Sequence, residues 1–422
     1  MTTRRAEGED VPGTDAELQN RVWLRRFPYP YRAMLAICSD LDETPDRQVY
    51  FETARFLNTT ENTAMGRGVG LEVGNTIYFD MPANQFSYWN TDDTGRAMAR
   101  ALIQSGHIDC LHSFGDLART RTHAARALDE LVRSDCRLAV WIDHAVAPTN
   151  FGSDIMQGSG DVPGAEAYHA DLSCEFGIQY VWRGRVTSII GQDVRRDLSG
   201  IFSGRHPLAS LETLGKEWVK GVVGRSKAKY AMHGPNRVLA ETCLRDGRKV
   251  LEFLRCNPHW GGVSCGETAT GLPDVLTDRM LRTLIGRQGV CVLYTHLGKI
   301  TNRQQPLDLR AQNAFRRLAQ YASQGDVLVT TTRRLLGYCS AVRALNYEVF
   351  QGDGITTIDV TGGASGISER DLQGLTFYVS EPERTRLSVK GQALPEIERN
   401  PADATGQASV SVPLRRLEFP SL

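Results

Sequence analysis

The sequence predicts an α/β protein built on a parallel sheet, followed by a small antiparallel β module. From about residue 21 to 345, apolar strand-like runs alternate with helical patterns. Strand, helix, strand repeated this often implies a parallel sheet covered by helices, either a barrel or an open sheet. From residue 346 the pattern becomes short alternating runs (YEVF, GITTIDVTG, LTFYVSEP, RLSVKG, ASVSVPL) separated by turn residues. That predicts a sandwich-like accessory domain over 346–422. A length of 422 residues exceeds one average domain and suits a barrel with an appendage.

In chain order, residues 1–20 are polar and aperiodic, which predicts a disordered lead-in. Strands are expected at 32–39, 70–79, 137–142, 178–182, 230–233, 289–294 and 326–331. TDDTGRAMARALIQSG (91–106) has Thr91 as an N-cap candidate, apolar residues at helical spacing and Gly106 as a stop. The same logic predicts helices over 122–135, 273–289 and 307–325. Two stretches interrupt the rhythm. Residues 145–175 are rich in Gly, Pro, Ser and Asp, and 183–228 are polar with weak periodicity. Loops this long within a domain are functional or disordered.

Basic and acidic residues balance at 49 each. No overall surplus therefore argues for nucleic acid or an anionic membrane, although a local basic patch can hide in a neutral total. No stretch approaches the roughly 18 apolar residues of a membrane span. The N-terminal residues lack the apolar core of a signal peptide. The nine cysteines form no CxxC pair, and Cys38, Cys136 and Cys291 lie in apolar runs. A reduced, cytoplasmic setting is expected.

LAICSDLDET (35–44) is an apolar run that stops at Asp40 and Asp42, a pattern that can place carboxylates at the rim of a sheet. Asp40, Asp42 and Thr44 match the DxDxT motif of haloacid-dehalogenase-like phosphatases, in which the first Asp attacks phosphorus. That chemistry needs a later acidic strand end. The only look-alike, QGDGITTID (351–359), falls inside the β module. The alternative joins Asp42 to distant groups around a metal. GHIDCLHSFGD (106–116) supplies His112 and Asp116, with His107 and Asp109 as substitutes, and His with carboxylate suits Zn²⁺, Fe²⁺, Mn²⁺ or Co²⁺. Asp116 is equally readable as the N-cap of a helix beginning near Leu117.

With SDLD, HSFGD and CVLYTHLGK (291–299), the sequence resembles the polysaccharide deacetylases (NodB-homology, carbohydrate esterase family 4) over roughly residues 30–340. The resemblance implies a distorted (β/α) barrel of seven-stranded type and a divalent metal ion, zinc foremost. It implies Asp40 as general base, Asp42 and His112 as ligands, Asp116 where the family's second HSxxH histidine belongs, and His296 as general acid. No clear counterpart of the family's arginine-containing motif is visible. VWIDHAVAPTNFG (140–152) occupies its region and offers Asp143, His144 and Asn150 as substrate contacts, with His107 a further candidate. The implied function is metal-dependent removal of an acyl group, N-acetyl by resemblance, from a saccharide or related small amide. The alternatives are the phosphatase and a non-catalytic carbohydrate-binding protein on the same barrel. Neither a nucleic-acid nor a membrane partner is expected, while the β module could bind sugar or mediate homo-oligomer contacts.

Other polar clusters have plainer readings. FSYWN (86–90) suits sugar stacking or core packing equally. Period-2 patterning in YHADLSCEFGIQYVW (168–182) favours a strand over a site for His169, Asp171 and Glu175. CNPHWGG (256–262) sets His259 and Trp260 in a turn-rich loop, and 195–205 reads as a solvated loop.

Overall fold

All seven residues of AMLAICS are buried, and they form the central strand β1 (Ala33–Ser39). The computed structural model describes residues 4–5, 22–362 and 369–421. The expected lead-in at 1–20 lies outside these residues, except for the two-residue strand Arg4–Arg5. The chain divides into two units, one of Ala33–Arg333 with Leu417–Leu422 and one of Met1–Arg32 with Arg334–Arg416.

In the larger unit, β1 is followed by α1 (Arg47–Asn58), β2 (Gly74–Ile77), α2 (Asp93–Gln104), β3 (Ile108–His112), α3 (Arg121–Arg133) and β4 (Val140–Ile142). Next come α4 (Ala170–Phe176), β5 (Tyr180–Trp182), β6 (Val186–Thr187), α5 (Pro207–Val223), β7 (Leu239–Cys243), β8 (Lys249–Phe253) and β9 (Arg255–Cys256). The unit closes with α6 (Asp278–Gly286), β10 (Val290–Thr295), α7 (Leu309–Ser323) and β11 (Val327–Val329). The strand order is β6-β9-β10-β1-β2-β3-β4-β5-β8-β7, with β11 also on β1. Pairing is parallel throughout except between β7 and β8. The sheet curls through 267° without closing. It is a half-barrel, compatible with the distorted barrel that the resemblance implies, but not a closed (β/α)7 barrel.

Side-chain caps explain several helix starts. Asp46 accepts from Val49 N at the start of α1, and Asp308 does the same from Ala311 N for α7. Helix α2 starts on Asp92, which accepts from Gly95 N, and not on Thr91. The helix expected over 273–289 is split, because the Thr277 side chain caps Met280 N and begins α6 anew. One apolar core lies under α2 and α3, and a second under α6 and α7.

Four local expectations change. Residues 230–233 are a 3₁₀ turn and its continuation, with Gly234, Pro235 and left-handed Asn236 (φ 52°) directly after. The weakly periodic stretch 183–228 contains the 17-residue α5. In 168–182 a helical turn, α4, precedes the strand, and Gly177 at φ 123° ends it. Helix α3 starts at Arg121, so Asp116 is not its cap.

The smaller unit holds a five-stranded and a four-stranded sheet. It is not purely antiparallel, since Ile355–Gly362 pairs in parallel with Thr385–Val389. The strand Trp23–Leu24, from well before residue 346, joins its four-stranded sheet against Thr376–Tyr378.

His169 belongs to the core and not to a surface site. Its Nδ1 lies 2.8 Å from Ser173 Oγ and its Nε2 2.8 Å from the Thr149 carbonyl. Burial pushes its pKa down to about 4 from 6.5. Between those two values the unfolded chain binds a proton that the folded chain refuses, so stability is lost as pH falls from 6.5 to 4. The full interval corresponds to about 3 kcal/mol. His169→Gln is expected to flatten the acid side of the stability curve, read as denaturant midpoints at pH 4.5 and 7. An unchanged slope would remove His169 from the acid response.

Candidate functional site

The C-terminal ends of the strands bring together most of the chemically distinctive side chains. Asp40 follows β1 directly, with its backbone N–H on the Thr295 carbonyl, and Asp42 sits in the turn beyond. Tyr78 follows β2, His112 ends β3, His144 stands two residues past β4, Trp182 ends β5, Arg255 begins β9 and His296 follows β10.

Asp40 is 2% exposed and gripped by Arg255 through two parallel hydrogen bonds, Nη1 to Oδ2 at 2.6 Å and Nη2 to Oδ1 at 2.8 Å. Arg255 is fully buried, lies over the Trp182 ring at 4.1 Å and also reaches Cys38 Sγ at 3.1 Å. Burial opposes the charged form of Asp40. The charge of Arg255, then that of His112, outweighs it and holds the carboxyl below its ordinary range. Planar, bidentate pairing of this kind is what suits arginine to a desolvated carboxylate.

Asp42 is the hub. His296 Nε2 lies 2.9 Å from its Oδ2, while His144 Nε2 and His112 Nδ1 lie 3.4 and 3.8 Å from its Oδ1. The Tyr78 hydroxyl donates to the same Oδ1. Burial opposes ionisation of Asp42, but these three histidines more than offset it and its pKa is lowered. The Tyr78 ring stacks on His112 at 4.4 Å and meets His144 edge-on at 5.1 Å. Thr76 Oγ1, 3.4 Å from His112 Nδ1, accepts from Leu41 N and ties β2 to the acidic turn.

The histidines differ in charge. Burial lowers His112 to about 4 despite Asp40 and Asp42, so it is neutral near pH 7 with a free lone pair. For His144 burial is the largest effect, yet Asp116 and Asp42 reverse it and the pKa is raised. His296 behaves likewise through Asp42 and Asp40. His296 Nδ1 lies 2.9 Å from the Glu267 carbonyl, which can only accept, so Nδ1 carries a proton.

The remaining sequence candidates fall elsewhere. Asp116 reaches His144 Nδ1 at 3.0 Å, an ion-pair contact too oblique for a good hydrogen bond, and stands behind His144. Asp143 is fully buried. Its carboxylate accepts from Trp141 Nε1, Phe151 N and Gly152 N. Burial raises its pKa to about 7. Asn150, also fully buried, clamps the loop by accepting from His144 N and donating to the His144 carbonyl, so it positions His144. His107 precedes β3, at the opposite end of the strand from His112, beside Ser105 and Phe419. Asp109, the second residue of the same strand, accepts from Arg333 N.

Arg255, Tyr78 and Trp182 were not evident as site residues. A single arginine in the apolar run VLEFLRCN was the available clue, because a buried guanidinium needs a partner. Two residues on, strand alternation puts Asn257 on the face of Arg255. Asn257 and its neighbour Ser188 are buried, and their side-chain polar atoms have no hydrogen-bond partner.

The backbone marks the same place. Glu43, Ser113 and Ala145 directly follow Asp42, His112 and His144, and stand at φ 58°, 44° and 41°. Left-handed backbone at non-glycine residues costs about 1–2 kcal/mol each and clusters at functional sites.

Asp42, His112 and His144 form the donor set most suited to a divalent cation, two imidazoles and one carboxylate. Ligand atoms sharing a tetrahedral ion at about 2.0–2.1 Å stand roughly 3.4 Å apart. His144 Nε2 stands at that spacing from Asp42 Oδ1, 3.4 Å, and His112 Nδ1 stands wider, at 3.8 Å. Among the described residues no group of three or more His, Cys, Asp or Glu stands close enough together to hold a metal ion as the side chains lie. The donors fit a divalent cation in kind, and Asp42 with His144 also in spacing.

Comparison with protein-family models, curated proteins and solved structures returns no significant match.

Proposed function

We infer that the protein is a metal-dependent hydrolase that cleaves an acyl group from an amide, a divergent relative of the polysaccharide deacetylases. The observation that supports it best is the convergence of SDLD, His112 and His296 at one end of the sheet, with Asp40 held as a carboxylate by Arg255. The N-acetyl group, the saccharide substrate and the preference for zinc come from the resemblance of these motifs.

Asp42, His112 and His144 would hold the cation, which when bound supplies a Lewis acid that lowers the pKa of water and polarises a carbonyl. Asp40 is the base that takes a proton from the attacking water, and Arg255 keeps it ionised and oriented. His296 has its Nδ1 proton committed to the Glu267 carbonyl, so Nε2 is the atom that delivers a proton to the departing nitrogen. The C–N bond breaks as the new C–O bond forms, and solvent resets both side chains. Water plus amide becomes carboxylate and amine.

One observation favours this over the phosphoaspartyl alternative. Asp353 of QGDGITTID sits in the turn between Asn346–Gly352 and Ile355–Gly362, in the smaller unit.

The test is metal analysis with acetate release from N-acetylated sugars. Wild type is expected to purify with, or to be activated by, Zn²⁺, Fe²⁺, Mn²⁺ or Co²⁺. His112→Ala should lose the metal while its circular dichroism stays native. Full metal occupancy in that variant would take His112 out of the site. Activity that survives chelation undiminished would count against metal dependence altogether.

A further inference from the structure

Helix α5 is amphipathic in the reverse sense. Its buried face is Ser210, Thr213, Glu217 and Gly221. Polar bonds hold that face down. Thr213 Oγ1 donates to the Trp260 carbonyl at 2.8 Å, while Glu217 accepts from Thr187 Oγ1 at 2.9 Å and Ser188 N at 3.1 Å. The outward row is apolar, with Leu208 81%, Leu211 57%, Trp218 58%, Val219 47% and Val222 42% exposed. At 100° per residue these five positions fall within an arc of about 100° and run some 21 Å along the helix. A surface helix ordinarily turns that stripe inward. A continuous outward row marks a contact surface, unlike scattered single apolar residues.

The charge around the row identifies its partner. Residues 195–229 contain eight Lys and Arg against three Asp and Glu, a surplus of five in a chain whose total is zero. Lys216, Arg225 and Lys227 are exposed beside the row or just past its C-terminal end, Lys216 in an ion pair with Glu212. An apolar stripe carrying a tryptophan, with cations along its border, is the composition of a helix lying in a bilayer interface. A second copy docked by two-fold symmetry would set one basic surplus against another. A nucleic acid would meet the cations and leave the stripe uncovered. Spanning is a separate matter, since among the described residues no helix is long and apolar enough to cross a membrane.

We propose that α5 docks the protein on an anionic lipid bilayer, with Leu208, Leu211, Trp218, Val219 and Val222 entering the interface. This does not depend on the hydrolase reading. The test is co-sedimentation of the full chain with vesicles of phosphatidylcholine alone or with 30% phosphatidylglycerol. Binding is expected to the anionic vesicles, to weaken at 0.5 M salt, and to fall at least tenfold in Leu208→Ser/Trp218→Ser and in Arg225→Gln/Lys227→Gln. Wild-type hydrogen exchange gives a readout without substitution, with 205–223 becoming protected only when anionic vesicles are present. Any of three results overturns the proposal: no anionic binding, binding by both variants equal to that of wild type, or a wild-type dimer that Leu208→Ser/Trp218→Ser converts to monomer.

Discussion

Arg255→Met is expected to lower the unfolding free energy by about 3–5 kcal/mol. The side chain is fully buried, and methionine can occupy the space over Trp182. What methionine cannot replace is the partner of Asp40, which would be left as an uncompensated carboxylate in the interior. The lost guanidinium charge also removes the main influence that keeps Asp40 ionised against burial, so its pKa should rise. Adding Asp40→Asn to Arg255→Met should recover part of the loss, because the second change neutralises the stranded charge. Urea unfolding of the four members of this cycle measures the coupling. Additive losses would mean that the 2.6 and 2.8 Å contacts do not act as a pair.

Asp40→Asn is expected to reduce amide hydrolysis by about 10²–10⁴-fold, the usual worth of a positioned general base. Its metal content should match wild type, since Asp42, His112 and His144 remain. The variant also leaves Arg255 without its counter-charge, so activity must be normalised to folded protein at 25 °C. Acetate release at the wild-type rate, with unchanged metal, would remove Asp40 from the chemistry. That outcome would move weight to the non-catalytic carbohydrate-binding alternative. Loss of metal together with activity would instead make Asp40 a ligand.

Strands β1, β2, β4, β5, β10 and β11 are legible as apolar runs bounded by turns, and helices α2, α3, α6 and α7 as apolar periodicity, whereas β3, β6, β9 and α1 fall outside the expected elements. Helix α5 is not legible, because its apolar residues face outward and its inward face is Ser, Thr, Glu and Gly. Where apolar is equated with buried, only weak order is visible there. The hairpin of β7 and β8 has one local signal, the turn LRDG. Within the site, SDLD, HSFGD and YTHLG identified groups that the fold does bring together. Asp116 was placed by counting along HSxxD, whereas His144, from a different strand end, reaches Asp42. Arg255 pairs with a residue 215 positions away. A contact over that separation has no local trace, beyond the oddity of one cation in an apolar strand.

Positions 43, 113 and 145 should tolerate substitution in an order that side-chain chemistry would not suggest. At each the backbone is left-handed, so glycine and asparagine rank high and valine, isoleucine and threonine low, whatever the charge. A deep mutational scan under selection for function would show Glu43 and Ala145 sharing one profile of permitted residues despite their different polarity. In evolutionary terms, three neighbours of Asp42, His112 and His144 are constrained by backbone conformation, Ser113 also by its hydroxyl, which accepts from Gly115 N. Such a signature would be readable in any future set of related sequences, even where the acidic and imidazole residues themselves had changed.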